Sequence, residues 1–402
     1  MTKAGESRKQ QSFPRELLEQ PTSARLAYFK AYTVAHPLLS QADKKVWNAL
    51  REPAGALLVF IFGPTGVGKT TLLEHIEKRL MEQALPRMAQ DRNHLPTIRL
   101  DAMAPAARQF KWPDFYTRGL LAVREPLIDY KIDYQTLTPV FNEKLGRHVT
   151  PRSGGDAAAL QRSWEQMIKH RQLAAILIDE AQHIARVAGG STLLGQLEHL
   201  KSLAVSTQTV YVLAGTYDLR VFRTLNAQLS RRTIDVHFPR YHHTDKSERQ
   251  AFQQVLLTLQ KHLPLEEPPD LIHQWKYCYA RTIGCVGILK DWLTKALAEA
   301  LETGEKTISP ALLAQHAAST DRCDQMITDI EEGEMALRHD PAADERLLIR
   351  LGLAGRRSRA KSEQQESQTG TQNNATSPSR NTRVGQRSPK RDPVKGETGT
   401  HG

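Results

Sequence analysis

No stretch of the 402 residues is apolar over a membrane-spanning length, and Met1 is followed by polar residues rather than a secretory core. Those absences exclude a transmembrane helix and predict a cytoplasmic protein. Cysteine occurs only at Cys278, Cys285 and Cys323, without the close-pair spacing of a zinc site, so buried or free thiols are expected and no metal other than Mg²⁺. Acidic residues are outnumbered: 44 Asp and Glu against 55 Lys and Arg leave a net charge of +11, which invites a polyanionic partner. The excess is uneven. From Arg356 to Gly402 ten basic and four acidic residues contribute +6 of it, in a segment with no aromatic and almost no aliphatic side chain. Such a segment cannot bury enough apolar surface to offset the entropy of ordering, so residues 355–402 read as a disordered basic tail, either solubilising or a tether to DNA or a partner protein. The rest, at 40% hydrophobic and 25% charged over the chain, is ordinary globular composition.

What is present starts with an apolar run from Ala56 to Phe62. Behind it Gly63, Pro64, Thr65, Gly66, Val67, Gly68, Lys69 and Thr70 satisfy G-x-x-x-x-G-K-[ST] at every fixed position, and a helical stretch follows from Thr71 to Leu80. Strand, loop and helix in this order form a phosphate cradle: glycines let the backbone close around a polyphosphate and aim N–H groups at it, and the helix presents its positive end. Lys69 then reaches the β- and γ-phosphates and the Thr70 hydroxyl helps hold Mg²⁺, so the sequence predicts binding of ATP or GTP.

A second buried-strand run, Ala174 to Ile178, ends in Asp179 and Glu180. At the carboxyl end of a parallel strand this pair falls beside the phosphate loop. Asp179 is the candidate Mg²⁺ ligand and Glu180 the residue that polarises an attacking water. A third run, Thr209 to Ala214, ends in Gly215 and Thr216, placing a hydroxyl where it could sense the γ-phosphate. After a helix from Leu219 to Leu229, Arg231 and Arg232 precede another strand, Ile234 to Phe238. In an oligomeric ATPase a guanidinium there reaches a neighbour's γ-phosphate.

The chain divides into residues 1–14, disordered; 15–50, helical, with a break at His36 and Pro37; 51–244, the nucleotide-binding core; 245–335, a small helical lid; 336–354, a helix or linker; and the tail. Thr97 to Asp101 reads as a strand, followed by an irregular, basic, proline-punctuated stretch to about residue 155. Asp245 and Ser309 with Pro310 read as helix starts, and Thr282 to Lys290 as a glycine-marked lead into a helix.

Five segments carry a resemblance across residues 20–320: Tyr32 to Pro37, Gly63 to Thr70, Leu177 to Gln182, Ala214 to Tyr217, and Asn226 to Arg232. The chain resembles the TnsC/TniB family of transposition ATPases, a branch of the AAA+ class that is also similar to MuB. The phosphate loop and acidic pair are common to many ATPases, and the His-Pro lead-in with the Gln-Leu-Ser-Arg-Arg ending narrows them. The resemblance implies an α/β fold, an AAA+ P-loop NTPase core with a parallel sheet flanked by helices, then a small α-helical lid and the tail. It implies ATP and Mg²⁺ as cofactors, Thr216 as first sensor, Arg231 or Arg232 as a trans-acting finger, and Lys290 as a second sensor on the nucleotide, beside Thr71 of the loop. It further implies a bacterial, DNA-associated switch. ATP-bound subunits assemble as rings or helical filaments on duplex DNA, dock a TniQ/TnsD-type target selector, and recruit the transposase that promotes hydrolysis. Backbone contacts without base readout would suit such a protein, with Arg108, Lys111, Arg118 and Arg152 as candidates.

Two alternatives share the motifs. A superfamily-two-like helicase fits the acidic pair but needs a second RecA-like lobe, whereas the residues after Arg232 offer helices and a tail. Only the family's lead-in and ending motifs, with the basic tail, weigh against a general AAA+ remodelling or signalling ATPase.

Overall fold

The computed structural model describes residues 12–104, 110–125, 140–142, 147–149, 155–185, 190–224, 233–338 and 341–353. Residues 1–338 make one compact unit, and 339–402 a second that contributes helix Pro341–Arg350 to the described residues. A 3-10 helix (Arg15–Glu19) in the first unit is followed by helices α1 (Thr22–Ala31) and α2 (Pro37–Arg51). His36 starts α2 by capping it: its Nδ1 accepts from the Leu39 N–H and from the Tyr241 hydroxyl, and Pro37 fills the first turn, where no N–H is needed. The buried face of α2, including Leu38, Leu39, Val46 and Trp47, turns to the core, and full burial of one such aliphatic side chain is worth about 1.5–3 kcal/mol.

Next come β1 (Leu58–Phe62), α3 (Lys69–Gln90), β2 (Thr97–Asp101), α4 (Trp112–Ala122), the short antiparallel pair β3 (Val140–Asn142) and β4 (Arg147–Val149), α5 (Gly155–Arg171) and β5 (Ala175–Asp179). They are followed by α6 (Gln182–Ala185), α7 (Gly190–Thr207), β6 (Val210–Gly215), a 3-10 turn (Tyr217–Arg220), α8 (Val221–Thr224) and β7 (Thr233–His237). The main sheet has five strands in the order β2-β5-β6-β1-β7, all parallel. Three of them, β1, β5 and β6, are buried at every position, which is why they read as unbroken apolar runs rather than alternating ones. Alternate residues still divide between two cores. Val59, Ile61, Leu177 and Val212 face α2, α3 and the later helices, while Phe60, Ile178 and Leu213 face the side that holds Phe115, Trp164 and Leu197.

The chain then becomes helical: α9 (Lys246–His262), α10 (Trp275–Thr282), α11 (Val286–Thr303), α12 (Pro310–Gln315) and α13 (Thr320–Met335). Asp245 caps α9 by accepting from the Ser247 and Glu248 N–H groups, and Ser309 caps α12. Helix α1 is tied to this region, with the Arg25 guanidinium on the Pro264 carbonyl and the Tyr28 hydroxyl 2.8 Å from His262 Nδ1.

Three sequence expectations are corrected. The stretch after β2 is not irregular throughout, since α4 lies within it; Pro113 occupies the first turn of that helix and starts it rather than breaking it. Helix α3 runs past Leu80 to Gln90 and contains Pro86. The helix expected from Leu219 begins earlier, as the 3-10 turn, and continues in α8. Residues 225–232 lie outside the described residues, as do 1–11 and the tail from 354.

Candidate functional site

Register in the sheet brings the chemistry together at one edge. Phe62 pairs with Gly215 on one side and His237 on the other, and Ile178 pairs with Leu213, so the loops after β1, β5 and β6 leave the same end of the sheet. The loop from Gly63 to Gly68 has its geometry dictated by its neighbours. A Cβ on Gly63 would collide with the backbone carbonyl of Phe238, and Gly66 stands at φ +73, where an L side chain is strained. The Gly66 carbonyl accepts from Ile288 N–H at 3.2 Å, pinning the loop to the first turn of α11.

Lys69 opens α3 and is buried, with its ammonium donating to the carbonyls of Gly63 and Pro64 at 3.1 and 2.9 Å. Burial lowers its pKa, and the negative charges of Glu180 and Asp179 oppose that. Thr70 Oγ1 donates to Asp179 Oδ2 at 2.6 Å, while Asp179 Oδ1 accepts from the Glu180 N–H at 2.9 Å. Hydroxyl and carboxylate oxygens form a hard donor set of the type Mg²⁺ prefers alongside phosphate oxygens. Among the described residues no group of three or more His, Cys, Asp or Glu is arranged to hold a metal by itself, and the three cysteines are free and buried. Glu180 has φ +52, a left-handed conformation costing a non-glycine residue on the order of 1–3 kcal/mol.

These residues open on a cavity of about 470 Å³ whose walls include Thr65 to Thr71, Glu180, Tyr32 to Val34, His36, Leu259, Val286 and Lys290. Its polar floor is the phosphate loop, and its apolar walls come from the segment before α2 and from α9 and α11. The Lys290 ammonium is directed at the Phe29 carbonyl and lies 3.5 Å from the Phe29 ring centroid, and burial brings its pKa down to about 8. It lines the cavity but is held by α1 rather than by the loop. Thr216 follows β6 on the other side of the loop, and its Oγ1 is a buried atom with no hydrogen-bond partner. It contributes to a second cavity of about 370 Å³, between Pro64, Thr65, the 3-10 turn and α13.

Of the candidate DNA contacts, Lys111 is exposed at the start of α4, and Arg118 donates to the Asp101 carbonyl at 2.8 Å. Arg108, Arg152, Arg231 and Arg232 lie outside the described residues. Sequence reasoning gave Gln182 no role, although it is buried with its carboxamide between Glu180 and Thr216. A buried amide leaves no periodicity to find. Its only sequence trace is its place two residues after the acidic pair.

The strand order, the loop after β1 and the acidic pair after β5, two places away, define the architecture. The chain has an AAA+ P-loop NTPase fold. A family model described as an AAA domain matches residues 51–222. That match begins at the end of α2 and takes in the loop, the acidic pair and Thr216. No curated protein matches the chain. Similar solved structures include the Aeropyrum pernix ORC2 protein in ADPNP-ADP complexes, at 16% identity and TM-score 0.43, covering 70% of this chain and 67% of that one. Cdc6p from Pyrobaculum aerophilum is similar at 16% identity and TM-score 0.44, covering 72% and 69%. The Drosophila ORC bound to DNA is similar at 13% identity and TM-score 0.41, covering 88% and 87%. Among the described residues no helix is long and apolar enough to cross a membrane.

Proposed function

We propose that the chain is an ATP-dependent, DNA-binding AAA+ regulator of transposition that assembles on duplex DNA and links a target selector to a transposase. The observation that carries the nucleotide half is the Thr70–Asp179 hydrogen bond, which joins the phosphate loop to the acidic pair beside the 470 Å³ cavity that Thr70 and Glu180 line. In this reading the loop N–H groups and Lys69 hold the phosphates, and the apolar walls receive the base. Thr70 and Asp179 would hold Mg²⁺, which when bound supplies positive charge to the phosphate oxygens. Glu180 orients the attacking water and takes its proton, while the Thr216 hydroxyl donates to the γ-phosphate. Helices α9 to α13 act as the lid.

The DNA half rests on the net charge of +11 and on the lead-in and ending motifs around His36-Pro37 and Arg231-Arg232. A guanidinium from one subunit completing the site of the next would link nucleotide state to assembly state. Titration of fluorescent duplex DNA at several salt concentrations, with ATP, with ADP and without nucleotide, tests this. Binding should require ATP, tolerate any sequence and weaken steeply with salt as counterions are released. Tight binding without nucleotide, or a flat salt response, contradicts it. Mixing Lys69→Ala subunits with Arg231→Ala/Arg232→Ala subunits should restore part of the hydrolysis that each lacks alone. A mixture as inactive as either variant places the arginines outside the neighbouring site.

A further inference from the structure

Gln182 is buried in the seam between the ends of β5 and β6. Its Nε2 donates to Glu180 Oε2, and its Oε1 accepts from the Thr216 backbone N–H at 3.2 Å. The orientation of the amide is fixed by its partners, because a backbone N–H can only donate and an ionised carboxylate can only accept. Beneath it the Ala181 N–H bonds the Ala214 carbonyl at 2.8 Å, closing the two strand ends together. Gly215 leaves the room: a Cβ there would run into Gln182 Oε1 and come within 3.0 Å of the Gln182 nitrogen. One residue further on, the Thr216 hydroxyl is buried without a partner.

We propose that Gln182 is a positioning residue that makes the placement of Glu180 depend on engagement of Thr216. The proposal rests on the ATPase reading above. When the γ-phosphate accepts from Thr216 Oγ1, residue 216 is fixed, and its N–H holds the Gln182 oxygen. The same amide then holds one oxygen of Glu180 and leaves the other free for water. The water oxygen bonds to the γ-phosphorus, its proton passes to Glu180, and the bond from the γ-phosphorus to the bridging oxygen breaks with its electron pair leaving on ADP. The amide itself is buried, so water has little access to the group that joins the two ends. Glu180 itself is exposed and left-handed, and the amide supplies the hydrogen bond that holds its side chain.

The test is ATP hydrolysis by the full chain with Gln182→Met, which keeps the approximate volume and removes both hydrogen bonds. A hydrogen bond to a charged group of this type converts to a loss in kcat of about tenfold to a hundredfold, while KM and the dissociation constant for ATP stay within about twofold of wild type. Thr216→Ala should also lower kcat, and the double variant should be no slower than the slower single one, because serial links are not additive. Wild-type kcat in Gln182→Met, or multiplied losses in the double variant, overturns the proposal. A parallel loss of ATP affinity assigns Gln182 a structural role and overturns it too. If Gln182→Met does not fold, Gln182→Glu carries the same kcat arm. Failure of the ATPase reading is seen separately, as wild-type chain that does not bind ATP.

Discussion

Replacing Glu334 by glutamine should loosen the end of α13 and destabilise the compact unit. The Glu334 carboxylate, with its side chain 10% exposed, meets the Arg240 guanidinium through two bonds, Nε to Oε1 at 3.0 Å and NH2 to Oε2 at 3.2 Å, and His242 Nε2 lies 3.3 Å away. Burial alone raises its pKa, but hydrogen bonds from His242 and Arg240 more than offset that and bring it down to about 2. Measured against a carboxyl near 4.5 in the unfolded chain, that shift corresponds to about 3 kcal/mol, in keeping with the roughly 3–5 kcal/mol lost when one partner of a buried pair is removed. A depressed carboxyl contributes its stability above the unfolded pKa and loses it as pH falls through the folded one. The difference between Glu334→Gln and wild type in urea unfolding should therefore be full at pH 7 and shrink between 4.5 and 2. Hydrogen exchange should locate the loosening in α13, where Gly333 lies against the Tyr217 ring and the Arg220 guanidinium bonds the Gly333 carbonyl at 3.1 Å. A Glu334→Gln chain within about 1 kcal/mol of wild type at pH 7 refutes the ion-pair reasoning.

His36 is held neutral, its pKa pushed down by burial to about 4. The unfolded chain takes up that proton first, so stability should fall as pH drops from 6.5 to 4, and His36→Gln should flatten that part of the profile in thermal unfolding. Gly66→Ala imposes a left-handed strain of about 1–2 kcal/mol and pushes on Ile288, so it should weaken ATP binding at least as much as it lowers the melting temperature. Isothermal titration beside a melting curve checks both.

Much of this architecture was legible because fully buried parallel strands leave unmistakable apolar runs. The runs before Gly63, Asp179 and Gly215 located β1, β5 and β6, and with them the site's edge. The His36-Pro37 pair was visible as a break between two helices and as a family signature; the fold supplies its physical reason, a cap on α2 and a bond to Tyr241. Proline misled the reading of α4, since residue type alone does not say whether Pro113 starts a helix or ends one. Long-range polar contacts were the least legible. Nothing near Lys290 in sequence points to Phe29, and nothing near Gln182 points to Thr216, because packing of α1 on α11 sets the first pair and sheet register the second.

The central claim is that the loop from Gly63 to Thr70 and the acidic pair form one ATP site. The most direct measurement is equilibrium binding of a fluorescent ATP analogue, with Mg²⁺, to the wild-type chain, Lys69→Ala and Glu180→Gln. Lys69 serves the phosphates in the ground state and Glu180 only the attacking water. The account predicts saturable binding to wild type and Glu180→Gln, with bound nucleotide persisting as triphosphate on the latter, and none to a folded Lys69→Ala chain. Equal affinity of Lys69→Ala and wild type contradicts it.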